Sequence, residues 1–210
     1  MCSCPQLGCK KLARVELVQL SPEAIMKAAI EILDRYGLAD MTMRRVATHL
    51  GVVPGALYWH FKNKQQLIAA IAIEMIHPVV PTLREEEPAS SSVDPATVAQ
   101  QLRTHLLAHR DGAEVVSAAL TDYALRARVE EHLAQSLGAQ HPGSDTKDLS
   151  IAAGTLLHFI LGACTLEQST LQRAELTGEE APEDTEVHFE ESFSRGVALI
   201  LRGFETCNMK

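Results

Sequence analysis

The 210 residues are 46% hydrophobic and carry a formal charge of −8 at pH 7, apolar content sufficient for one large core or two small ones. No charged segment followed by an apolar run opens the chain, which excludes a secretory signal from the expectation, and the odd set Cys2, Cys4, Cys9, Cys164 and Cys207 does not read as a disulfide framework, so a reducing cytoplasm is expected. Residues 1–80 hold nine Lys/Arg and six Asp/Glu, a net of +3, and the remainder ten and twenty-one, a net of −11; a mildly basic head on an acidic body suits a protein that offers one end to a polyanion.

Residues 1–20 are expected to form a flexible arm. Its Cys2, Cys4 and Cys9 could clip a metal, but the spacing fits no common zinc pattern and no metal is expected. From Ser21 onward almost every periodic stretch has helical spacing. Ile25, Ala28, Ala29, Ile32, Leu33 and Tyr36 line one helix face, with Ser21 as cap, Pro22 in the first turn and Gly37 at the end. A short helix follows from the cap Thr42 to about Leu50, a third from Pro54 to about His60, and a fourth from the cap Asn63 to about Ile76. Residues 84–95 read as an exposed linker. Helices are then expected at about 96–109, 113–119 and 122–136, with a loop from Gly138 to Asp145. The next helix, about 147–174, is long and apolar. Residues 149–166 could cross a membrane on length alone, but the small and polar residues spread through them favour a buried helix, and no membrane partner is expected. A last helix, about 187–206, carries Phe189, Phe193, Val197, Ile200, Leu201 and Phe204 at three- and four-residue intervals. The expectation is an all-α fold of nine or ten helices.

The informative segment is Thr42 to Lys64, in which two short helices flank a Gly-led turn. Such a helix-turn-helix places its second helix in the major groove of double-stranded DNA. Pro54, Gly55 and Ala56 are small enough for close approach. Tyr58, Trp59 and His60 offer apolar bodies with polar tips for sugars, thymine methyls and phosphates, although Tyr58 and Trp59 could instead fill the gap to the first helix. Lys64, just inside a helix start, suits a phosphate clamp; Arg44 can reach a guanine edge, and Arg45 beside it points about 100° away.

These residues carry a family resemblance. The stretch Ser21 to Ile76, above all LYWHFKNKQQLIAAIAIEMI (57–76), resembles the DNA-binding domain of the TetR family of transcriptional regulators. LLAHRDGAEVV (106–116), HFILGACTLEQ (158–168) and FSRGVALILRGFE (193–205) resemble the regulatory domain of its tetracycline-binding members. The resemblance implies a DNA-binding head at 21–66 and a ligand-binding, dimerising body at 67–210. Arg44, Pro54, Gly55 and Ala56 fall on base-contacting positions, and Thr42, Tyr58, His60 and Lys64 on backbone-contacting ones. It also implies that the helices at about 147–174 and 187–206 pair two copies, a role that the apolar circumference of the former favours independently. The homodimer would read an inverted repeat with half-sites roughly 34–36 Å apart.

Departures shape the effector. Pro54 stands where those members read bases with a glutamine, which implies a different operator. Val80, Val98, Leu102, Val116 and Leu120 stand where they hold the drug and its magnesium. The chain is therefore expected to lose that chelate site, to use no cofactor, and to line a pocket with these residues and Phe159, where His105, His158 or Gln168 orients a hydrophobic or aromatic effector. His105 and His109 could bind a metal as a pair, but no third ligand is evident; Cys164 could be a redox switch, although a buried cysteine usually packs. The expected function is a ligand-released repressor. A ligand-binding module without DNA function and an enzyme are the alternatives, the latter lacking any recognisable catalytic spacing.

Overall fold

The computed structural model describes residues 20–84, 93–178 and 185–208. Cys2, Cys4 and Cys9, the remainder of the N-terminal arm and most of the expected linker at 84–95 lie outside them. The described residues form nine α-helices and one 3-10 turn, and no strand occurs among them.

Local capping chemistry places most of the helix starts. In α1 (Pro22–Tyr36), Ser21 Oγ accepts the Ala24 amide at 3.2 Å. In α2 (Met43–His49), Thr42 Oγ1 accepts from Arg45 N. Before α4 (Lys64–Ile76) the exchange is reciprocal: Asn63 Oδ1 accepts the Gln66 amide at 2.9 Å and Gln66 Oε1 accepts the Lys62 amide at 2.8 Å. Asp94, Asp122 and Asp145 cap α5 (Pro95–Leu107), α7 (Tyr123–Gln140) and α8 (Thr146–Thr177) in the same way. The remaining helices are α3 (Pro54–Leu57), α6 (Gly112–Ala119) and α9 (Thr185–Asn208).

α5 stops two residues short of the expected end, α8 runs three residues past its own and α9 starts two residues early, and two further boundaries differ for visible reasons. α3 ends at Leu57 rather than His60, because the Leu57 carbonyl accepts both the His60 and Phe61 amides and tightens the chain into a turn. α7 runs through Gly138 to Gln140 instead of ending near 136, since packing against Leu149 of α8 overrides the glycine's weak helix propensity.

One continuous apolar core joins the pieces. Ile25, Ile32, Val46, Leu57 and Leu67 hold α1–α4 together, and Ile71, Val98, Leu106, Val116, Leu133 and Leu156 carry the core into α5–α8. α4 packs along α6, so α1–α4 and the later helices share a strut. α8 is long and apolar enough to cross a membrane, with a mean hydropathy of 1.8 over its best window. One of its faces is covered by α5, α6, α7 and α9; Ile151, Leu166 and Leu176 remain exposed on it, as does Leu199 on α9.

Candidate nucleic-acid interface and effector site

Val46, Leu57 and Phe61 are buried between α1, α2 and α3, and Leu50 is half-buried. This packing fixes the angle between α2 and α3 and sends the other side chains outward. Pro54 and Gly55 are exposed and Ala56 half-buried; the space where a Gly55 Cβ would stand is open. Tyr58 and His60 are exposed, and Trp59 is 91% exposed. The gap-filling alternative is therefore wrong for Trp59, whose ring stands almost wholly in solvent, while Leu57 two residues earlier is the buried one. With the exposed Val53 and Tyr58, Trp59 makes a contiguous apolar cluster, the kind of patch that marks a contact surface.

The basic residues divide into free and engaged. Arg44 is exposed, and its guanidinium has no partner among the described residues. Arg45 pairs with Asp40 and lies over the Tyr36 ring, 3.9 Å from its centroid. That double contact occupies Nη1 and one face of the Arg45 guanidinium within the head. Lys64 Nζ donates to the Leu38 carbonyl at 3.0 Å and keeps two donors for another acceptor. Thr42 is exposed; its Oγ1 serves as a cap acceptor, while its hydroxyl proton stays available. At the start of α1 the Glu23 carboxyl is held below the usual carboxylate range, chiefly by its own backbone amide and then by the Ser21 hydroxyl.

The expected effector pocket is only partly assembled. Val80, Val98, Leu102, Val116 and Leu120 are all buried in the shared core. His105 is half-buried on α5. Three other expected lining residues are elsewhere. His158 is exposed on α8, because it falls on the helix face opposite the packed residues Leu156, Leu157 and Ile160. Phe159 faces α9, with its ring centroid 5.7 Å from that of Phe193. Gln168 staples the α5–α6 turn: its Nε2 donates to the Leu106 and His109 carbonyls and its Oε1 accepts the Ala113 amide, so both amide protons and one lone pair of Oε1 are already engaged within the body. His109 Nδ1 lies 3.1 Å from both carboxylate oxygens of Asp34. Cys164 is buried, and burial pushes its thiol up to about 12, which removes the thiolate that redox chemistry needs. Among the described residues no group of three His, Cys, Asp or Glu side chains is placed to hold a metal.

Sequence reasoning missed two features. One is a buried ionic centre in which Arg103 on α5 bonds Glu167 on α8 and Glu190 on α9. Its signal is a charge at core spacing, since Arg103 lies between the buried Ala99 and Leu106. The other is a cleft of about 790 Å³ between α1, α4 and Arg84, with Met26 and Ile30 on its floor and Glu23, Glu31 and Glu74 on its rim.

Known proteins share this arrangement. The family model for bacterial regulatory proteins of the tetR family matches residues 25–71. The class C tetracycline repressor protein of Escherichia coli is 31% identical over 205 residues, covering 89% of this chain and 91% of the relative. The crystal structure of BioQ with its natural double-stranded DNA operator superposes with a TM-score of 0.69 at 34% identity, covering 89% of this chain and 98% of that one. A single-residue variant of TetR from Acinetobacter baumannii AYE, in complex with minocycline, gives a TM-score of 0.69 at 26% identity, covering 90% and 99%.

Proposed function

Because the chain belongs to the TetR family of bacterial regulatory proteins, we propose that it is a ligand-responsive transcriptional repressor, a DNA-binding regulator rather than an enzyme, acting in the cytoplasm. Two copies pair through the exposed apolar faces of α8 and α9 and present two α2–α3 units to an inverted-repeat operator. The observation that carries this reading is the bare outer side of α3 and of the turn that follows it, where Pro54, Gly55, Tyr58, Trp59 and His60 stand in solvent beside the Arg44 guanidinium, which no described residue engages. Arg44 and the start of α3 read bases, while Thr42, Tyr58, His60 and Lys64 hold the sugar-phosphate backbone.

The division between head and body falls near residue 66, within the first turn of α4. The effector is a hydrophobic or flat aromatic molecule that enters by parting the aliphatic set Val80, Val98, Leu102, Val116 and Leu120, with His105 at its edge. It weakens the operator complex because it prefers a state in which the two heads are spread. The test is selection of duplexes from a random library by the purified protein, followed by sedimentation with and without the selected DNA. A dimer that enriches a palindrome is expected; a monomer that enriches nothing at low salt overturns the reading.

A further inference from the structure

The head and the body meet at the backbone of Leu38. Its amide donates to Asp111 Oδ2 at 2.8 Å, and its carbonyl accepts from Lys64 Nζ at 3.0 Å. Asp111 belongs to the turn between α5 and α6, and its second oxygen, Oδ1, accepts from Gln172 Nε2 of α8 at 2.7 Å. An unbroken file of hydrogen bonds therefore runs from α8 through Gln172, Asp111 and Leu38 to the lysine at the start of α4.

Local geometry is committed to this file. Asp111 is the only non-glycine at positive φ among the described residues, at 55°, and that conformation carries strain for a side chain. Gly37 sits at φ 84°, and a Cβ there would stand 2.8 Å from Asp111 Oδ2, so the position before Leu38 has to lack a side chain for the carboxylate to reach the amide. Gln168 pins the same turn from α8, and Asp34 at the end of α1 accepts the Arg110 amide at 3.2 Å.

We propose that Asp111 and Gln172 are positioning residues for DNA binding: through the backbone of Leu38 they fix where Lys64 carries its charge, so that a shift of α8 or of the α5–α6 turn moves a phosphate-holding group directly. The assignment rests on Lys64 contacting phosphate as proposed above. It differs from a purely structural role in one respect, because removing the Asp111 carboxylate should matter for DNA only while Lys64 is present.

The experiment is a double-mutant cycle with Asp111→Gly and Lys64→Ala, read as operator affinity by fluorescence anisotropy across a salt series. The probe is a labelled duplex selected by the wild-type protein from a random library. Glycine at 111 keeps the backbone unstrained while deleting the carboxylate, and Asp111→Asn, which tolerates the same φ, keeps an acceptor for the Leu38 amide and can donate its NH2 to a Gln172 amide turned to accept, should restore binding. Lys64→Ala is expected to weaken binding about tenfold and to lower the salt slope by about one for each half-site. Asp111→Gly is expected to weaken binding by roughly three- to tenfold with the same fall in slope, and the double variant should bind no worse than Lys64→Ala alone. Losses that multiply, or an unchanged slope in Asp111→Gly, would overturn the proposal. If Asp111→Gly does not melt cooperatively, Gln172→Met takes its place in the cycle and must show the same coupling, with independence again overturning the proposal. A wild-type protein that selects no duplex overturns the repressor reading itself, which keeps the two failures distinct.

Discussion

Arg103 Nη2 reaches both carboxylate oxygens of Glu167, at 2.8 and 3.0 Å, inside the junction of α5 and α8. Its Nη1 bonds Glu190 of α9, and the guanidinium carbon lies 5.4 Å from the centre of the Phe193 ring. One cation thereby ties three helices of the body. Arg103→Met removes the cation that the buried Glu167 carboxylate pairs with and is expected to lower unfolding stability by about 3–5 kcal/mol. Glu190→Gln, at a half-exposed site, should cost under about 1 kcal/mol. Urea titrations of the two variants check the ratio; equal costs would show that the centre contributes nothing beyond a surface pair.

Trp59→Ala separates binding from folding. The ring touches little in the free protein, so its loss should change stability by no more than about 0.5 kcal/mol. Operator affinity should nevertheless fall at least tenfold, the loss expected for an aromatic anchor covered in a complex. A melting curve and an anisotropy titration on the same sample provide both readings.

Arg44→Ala should cost about 1–3 kcal/mol of operator binding and relax the preference at one base pair in each half-site. Arg45→Ala, whose guanidinium is engaged by Asp40 and Tyr36, should leave base preference intact. Repeating the duplex selection with each variant checks both statements.

His132 is buried on α7, and burial, partly opposed by the Val79 carbonyl, holds its imidazole below the ordinary value of 6.5. The folded state therefore binds fewer protons than the unfolded state just below pH 6.5. Stability rises with pH through that window and declines on acidification until the folded ring also protonates. Relative to His132→Leu, the wild-type melting temperature is expected to drop between pH 7 and pH 5.5. A constant difference between the two would show that the ring is not held neutral.

Isothermal titration with a tetracycline–magnesium complex should give no sub-micromolar binding, because Val80, Val98, Val116 and Leu120 are aliphatic and buried where a chelate needs polar ligands. Tight binding would refute the assignment of an apolar effector.

The all-α architecture and the reading head are legible in the sequence because their determinants are local. Ser21, Thr42 and Asn63 announce helix starts by cap chemistry, and the buried spacing of Val46, Leu57 and Phe61 decides which side of α3 meets solvent. The regulatory half is less legible. Whether His158, Phe159 and Gln168 on α8 face a pocket, solvent or another helix depends on which of the four surrounding helices covers each strip, and periodicity reports burial without naming the neighbour. The Arg45 contact with Asp40 and Tyr36 is hidden for the same reason, since a helix position fixes direction but not which group waits there.

Gly196 of α9 faces the ring of Phe159, and a Cβ at that position would stand 2.2 Å from Cζ. The absence of a single methyl group thus lets a benzene ring dock into the neighbouring backbone like a tooth in a notch. Helices meshed in this way resist sliding along one another, so α8 and α9 of one copy travel as a single rigid paddle. In the proposed dimer, a signal crossing its axis would then arrive as a pivot of the two paddles, with the distance between the two reading heads set by a lever instead of a stretch.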